Sequence, residues 1–117
     1  MSVVDDDESV RESLPDLLNE LGFAARAFAS AAEFLASDAL DQTRCLMLDI
    51  AMPGMSGSEL QCELVRRQWD VPIIFITAQP DEKARSALLS RGAAGYLLKP
   101  FTELELSSAL AAALGTS

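Results

Sequence analysis

A chain of 117 residues, half of them apolar, has material for one domain with its own core and hardly for two. Its net charge of −9, with no basic stripe, argues against this segment gripping nucleic acid, and the absence of histidine excludes His-based catalysis and His-ligated metals. No apolar run approaches the ~18 residues of a membrane span, and no basic region followed by an apolar stretch opens the chain, so neither insertion nor secretion is expected.

The chain opens with Ser2, Val3 and Val4, a short apolar strand that runs straight into Asp5, Asp6 and Asp7. Like charges about 4 Å apart repel by roughly 4 kcal/mol at an effective dielectric near 20, so such a cluster asks for a counter-charge. Asp7 reads as the cap of the following helix, but capping explains at most one of Asp5 and Asp6. Val10, Leu14, Leu17, Leu18 and Leu21 recur at helical spacing up to Gly22. Pro15 lies inside that pattern and predicts a kink. Ala24 to Phe28 forms a weak second strand, and Ser30 with Glu33 makes a capping box for a short second helix.

The run from Cys45 to Ile50 has strand length, and Ser56 with Glu59 caps a third helix with Leu60, Leu64 and Val65 on one face. Val71 to Ala78 is continuous rather than alternating, as a parallel strand covered on both faces should be. Asp81 to Arg91 is a fourth helix ended by Gly92, with Lys83 a solvated residue on it. Gly95 to Leu98 is a fifth strand, and Thr102 with Glu105 caps a last helix carrying Leu106, Leu110 and Leu114. The two cysteines, Cys45 and Cys62, stand far apart and read as buried small hydrophobes in a reducing cytosol.

Five strands alternating with five helices predict a three-layer α/β domain around a parallel sheet. On that scaffold Asp5 and Asp6, Asp49, Thr77 and Lys99 all fall at the carboxyl ends of strands, where open α/β sheets build their binding crevices. Singly, each has an ordinary explanation: a cap, a loop aspartate, a strand-end threonine, a snorkelling lysine. Together they describe a coherent chemistry. An oxygen-only carboxylate cluster suits magnesium. Asp49 can act as a nucleophile toward phosphorus, and Lys99 and Thr77 can stabilise phosphoryl oxygens.

The segments "VVDDDES", "LMLDIAMPGMSG", "FITA" and "YLLKPF" resemble, in order and over essentially the whole chain, the motifs of bacterial response-regulator receiver domains, the CheY-like domains of two-component systems. "VRESL" and "FASAAEFLAS" further resemble the FixJ-like branch of transcription regulators, whose receiver precedes a LuxR-type helix-turn-helix. The resemblance implies a doubly wound sheet of strand order 2-1-3-4-5 and one receiver domain over residues 1–117. It implies phosphorylation of Asp49 by a partner histidine kinase. Mg2+ would be held by Asp6 directly, by Asp5 partly through water, by Asp49 and by the backbone carbonyl of Ala51. Thr77 and Lys99 would contact the phosphoryl group, and the Lys99–Pro100 peptide would be cis. Tyr96 would rotate into the space vacated when Thr77 moves inward, changing the face formed by the fourth helix, fifth strand and fifth helix. That change would act on an output domain, on transcription, or on a homodimer.

The chain is then expected to be cytoplasmic, and either a stand-alone receiver or, the favoured reading, one domain of a longer regulator. Two other readings stand beside it. A magnesium-dependent phosphatase with an aspartate nucleophile would want a second Asp two residues after Asp49, where Ala51 stands. A phosphorylation-independent interaction module would commonly lack one of the acidic residues or the lysine, and this chain keeps them all.

Overall fold

The computed structural model describes residues 1–115. Five strands, β1 (Ser2–Val4), β2 (Arg26–Phe28), β3 (Leu46–Asp49), β4 (Ile73–Thr77) and β5 (Gly95–Leu98), alternate with five helices, α1 (Glu8–Glu20), α2 (Ala31–Ala36), α3 (Gly57–Arg66), α4 (Glu82–Ser90) and α5 (Glu103–Leu114). The strands form one parallel sheet in the order β2-β1-β3-β4-β5. Val4 pairs with Leu48, Asp49 with Ile76 and Thr77 with Leu98, so the carboxyl ends of β1, β3, β4 and β5 lie along one edge.

The period-two geometry of the strands divides the core in two. Val4, Leu46, Leu48, Ile73 and Phe75 meet Phe34, Leu60, Leu64 and Leu88 from α2, α3 and α4. Val3, Met47, Ile74, Ile76 and Leu97 meet Leu14, Leu18, Leu106 and Leu110 from α1 and α5. Every residue of β3 and β4 is buried, which is why both read as unbroken apolar runs. Each fully buried Leu or Ile contributes about 1.5–3 kcal/mol of transfer free energy.

β1 and β5 have the expected bounds, and β2, β3 and β4 are shorter than the sequence suggests. The capping boxes of α3 and α5 form as expected. At α2 the Ser30 hydroxyl accepts from the Glu33 amide, but the Glu33 carboxylate accepts from the Ala29 amide instead of that of Ser30. Two expectations, those for Cys62 and Val65, need correction. Helix α1 spans Glu8–Glu20 with Pro15 inside it. A 3-10 turn, Asp38–Asp41, follows α2 and is anchored by the Trp69 indole, which donates to the Leu40 carbonyl at 3.0 Å. Cys62 is exposed, whereas Cys45 is buried, and burial pushes its thiol up to about 11. Val65 is 61% exposed, because the buried face of α3 is Gly57, Leu60, Gln61 and Leu64.

Gln61 is therefore a polar residue at a core position. Its Nε2 donates to the Leu88 carbonyl at 3.4 Å, while its Oε1 is buried without a partner among the described residues. The Leu88 carbonyl keeps the backbone donors of Arg91 and Ala93 in any case. Replacing Gln61 with Met, of similar volume, removes a half-satisfied buried amide at little cost. Gln61→Met is expected to raise stability by about 1–2 kcal/mol in urea unfolding; a stability at or below the parent's would show that the amide is better satisfied than its geometry implies.

Candidate functional site

The edge where the strands end holds the charged residues. Asp5 follows β1 and is fully buried. Its Oδ1 accepts from the Asp7 amide at 2.9 Å, and its Oδ2 lies 2.7 Å from the Lys99 ammonium. Asp6 is exposed, and Asp7 caps α1 by accepting from the Ser9 amide. Asp49, the last residue of β3, is 6% exposed. The ammonium of Lys99 lies 3.9 Å from its Oδ1, closer to Asp5 than to Asp49.

One carboxylate oxygen from each of Asp5, Asp6 and Asp49 lies within 4.8 Å of the others. Burial pushes the Asp49 carboxyl up to about 7; the charge of Asp5 adds to this, Lys99 opposes it, and Asp6 adds through its hydrogen bond and charge. The protein's own cations thus leave the cluster under-neutralised. The oxygen-only donor set and its unbalanced charge fit a hard divalent cation such as magnesium. Asp5 has Oδ1 hydrogen-bonded to the Asp7 amide, while its buried Oδ2 faces the Lys99 ammonium without a hydrogen bond of good geometry; Asp6 is open to solvent.

The remaining residues sit around this cluster. Ala51 is exposed on the loop between β3 and α3, which the Gly57 amide closes onto the Ile50 carbonyl at 2.8 Å. Thr77 is buried at the end of β4, and its hydroxyl is held by its own loop: it accepts from the Gln79 amide at 3.2 Å and lies 3.4 Å from the Gln79 carbonyl. The Lys99 amide donates to the Thr77 carbonyl at 2.7 Å, and the Lys99–Pro100 peptide is cis, as the resemblance implies.

Tyr96 differs from the starting position assumed for it. Its hydroxyl is already buried, without a partner among the described residues, and its ring packs against the core cluster containing Phe75 and Leu88. Apolar contact of the ring offsets the unpaired hydroxyl. Two features were not visible in the sequence: the pairing of Lys99 with Asp5, and the Arg11 guanidinium, whose Nη1 donates to the Asp5 backbone carbonyl at 3.0 Å. Neither a backbone partner nor a pairing across the sheet leaves a local sequence signal.

Comparison with known proteins agrees with this architecture. Residues 1–111 match the response regulator receiver domain family. The chain is 44% identical over 111 residues to Nodulation protein W of Bradyrhizobium diazoefficiens, covering 95% of this chain and 49% of that protein. It is 39% identical over 115 residues to the transcriptional regulatory protein FixJ of Azorhizobium caulinodans, covering 98% and 54%. The chain thus spans about half the length of these two relatives. The crystal structure of FixJ-N superposes with a TM-score of 0.86 at 34% identity, covering 97% of this chain and 91% of that one. Five parallel strands in the order 2-1-3-4-5, an acidic cluster with a lysine at their carboxyl edge, and these similarities lead to one conclusion: the chain belongs to the response regulator receiver domain family, a signalling module of two-component systems rather than a classical enzyme.

Proposed function

We propose that Asp49 is the phosphoacceptor, that Asp5, Asp6, Asp49 and the Ala51 carbonyl hold Mg2+, and that a sensor histidine kinase is the donor. The observation that carries this reading is the convergence of three carboxylates within 4.8 Å, with one lysine 2.7 Å from Asp5 and 3.9 Å from Asp49. An Asp49 oxygen attacks phosphorus, the bond from phosphorus to the donor imidazole breaks, and the imidazole leaves with its electron pair, giving an acyl phosphate on Asp49. Bound magnesium supplies positive charge against the phosphoryl oxygens. Lys99 neutralises a further oxygen and keeps Asp5 in place. Thr77 exchanges its bonds to Gln79 for one to the phosphoryl group.

The movement of Thr77 is the first step of the switch, and it biases the face of α4, β5 and α5. Because Tyr96 already points inward, its part in the switch is to hold that position. Residues 1–117 act as one receiver domain. The output is transcription, through a domain beyond this segment or through a homodimer. This reading is supported by the similarity to a transcriptional regulator over half its length.

Incubation with acetyl phosphate and Mg2+ is expected to add the mass of one phosphoryl group to the intact protein. The increase should be absent in Asp49→Ala and without Mg2+. Labelling of Asp49→Ala to the parent level would move the site elsewhere, and steady turnover of a phosphomonoester would favour a phosphatase.

A further inference from the structure

We infer that Arg11 is a positioning residue for the acidic pair: its guanidinium fixes the Asp5–Asp6 peptide so that Asp6 faces the cation site. The inference rests on the reading of Asp5, Asp6 and Asp49 as Mg2+ ligands. Strand β1 ends at Val4, whose pairing with Leu48 is the last between β1 and β3. The Asp5 amide still reaches the sheet, donating to the Phe28 carbonyl at 3.1 Å. The Asp5 carbonyl lies beyond the paired stretch, and there the Arg11 Nη1 takes over at 3.0 Å.

Arg11 stands within the first turns of α1, partly buried, with Asp7, Glu8 and Glu12 near it in sequence. Among the described residues it forms no ion pair within 4 Å. Its position therefore comes from the carbonyl it holds rather than from a carboxylate. The side chain of Asp5 is fixed independently, by the Asp7 amide and by Lys99. The exposed Asp6 meets only the Asp49 carboxyl, with no amide or ammonium on it among the described residues, and its direction depends on the plane of the peptide that precedes it. Arg11 fixes that plane, and it is anchored on the same helix that Asp7 caps.

A purely electrostatic role makes the opposite prediction. Removing a positive charge beside the cluster lowers the repulsion of a dication and tightens its binding. Removing a positioning group loosens it; partners that orient metal ligands typically change affinity by about 10–100-fold. The sign of the change separates the two.

The test is an NMR titration of backbone amides with MgCl2 on the parent, Arg11→Met, which keeps the apolar stem, and Arg11→Lys, which keeps charge and a donor without the planar fork. Arg11→Met is expected to bind Mg2+ roughly tenfold more weakly, with Arg11→Lys between it and the parent. Labelling by acetyl phosphate should return to the parent level at saturating Mg2+. Should Arg11→Met fail to fold, Arg11→Lys carries the test through its weaker binding. Affinity equal to the parent's or tighter overturns the role of Arg11. Failure of the parent itself to bind Mg2+ overturns the cation site, and the role of Arg11 with it.

Discussion

In metal-free buffer the protein is expected to lose stability as the pH rises from about 5 to about 7, and Asp49→Asn should remove most of that loss. The folded state holds the Asp49 carboxyl up to about 7, against an ordinary value of 3.8, because the group is buried and faces the charge of Asp5. Between those values the folded protein binds a proton that the unfolded chain has released. The contribution of Asp49 is therefore fully present below about 4 and lost as the pH rises through about 7, at up to about 1.4 kcal/mol per pH unit. The chain has no histidine to titrate in this range. Glu63, held down to about 2 by Arg66 and Arg67, and Asp38, held down by Arg26, stay ionised throughout it. The Met1 amine, lowered by burial, contributes with the opposite sign and cancels in the comparison with Asp49→Asn. Mg2+ at pH 7 binds the ionised cluster and should restore stability by mass action, more in the parent than in Asp49→Asn. Urea unfolding at matched pH, with EDTA and with Mg2+, checks both parts. Equal pH slopes for parent and variant would mean that Asp49 is as easily ionised in the folded protein as in the unfolded chain.

The edge that carries this behaviour was legible because two regularities converge in the sequence. Continuous apolar runs such as Ile73–Thr77 identify strands buried on both faces. The residues that end those runs must then share one edge of a parallel sheet. Asp5, Asp49, Thr77 and Lys99 follow from chain order alone. What escaped depends on finer geometry. Leu60, Leu64 and Val65 look like one helical face, but the spacing i, i+3, i+4, i+7 from Gly57 selects Leu60, Gln61 and Leu64 and turns Cys62 and Val65 outward. The pattern was present, and the polar identity of Gln61 concealed it. The inward Tyr96 hydroxyl and the pairing of Lys99 with Asp5 depend on tertiary packing, for which a single sequence has no periodic signal.

Gly57 shows the same limit at the site itself, and Gly57→Ala is expected to destabilise the protein by about 2–4 kcal/mol. Helix propensity predicts the reverse, since Ala is favoured over Gly by about 1 kcal/mol in a helix interior. Space decides the sign. Gly57 is buried at the first position of α3, where a Cβ would collide with the Asp49 carbonyl oxygen and lie 2.9 Å from the Ile50 Cα. Both are backbone atoms and cannot swing aside as a side-chain tip can. Relief requires the start of α3 to draw away from the end of β3, stretching the 2.8 Å bond from the Gly57 amide to the Ile50 carbonyl. That displacement acts on the residue that carries the phosphoacceptor carboxylate, so slower acetyl phosphate labelling should accompany the lost stability. Gly92 is the control: its φ of +100° strains any side chain, but nothing lies within 4 Å of a Cβ there. Gly92→Ala should cost only about 1 kcal/mol and leave labelling unchanged. A Gly57→Ala protein as stable as the parent in urea unfolding would mean that α3 is free to shift against β3, and that the phosphoacceptor loop does not depend on this close approach.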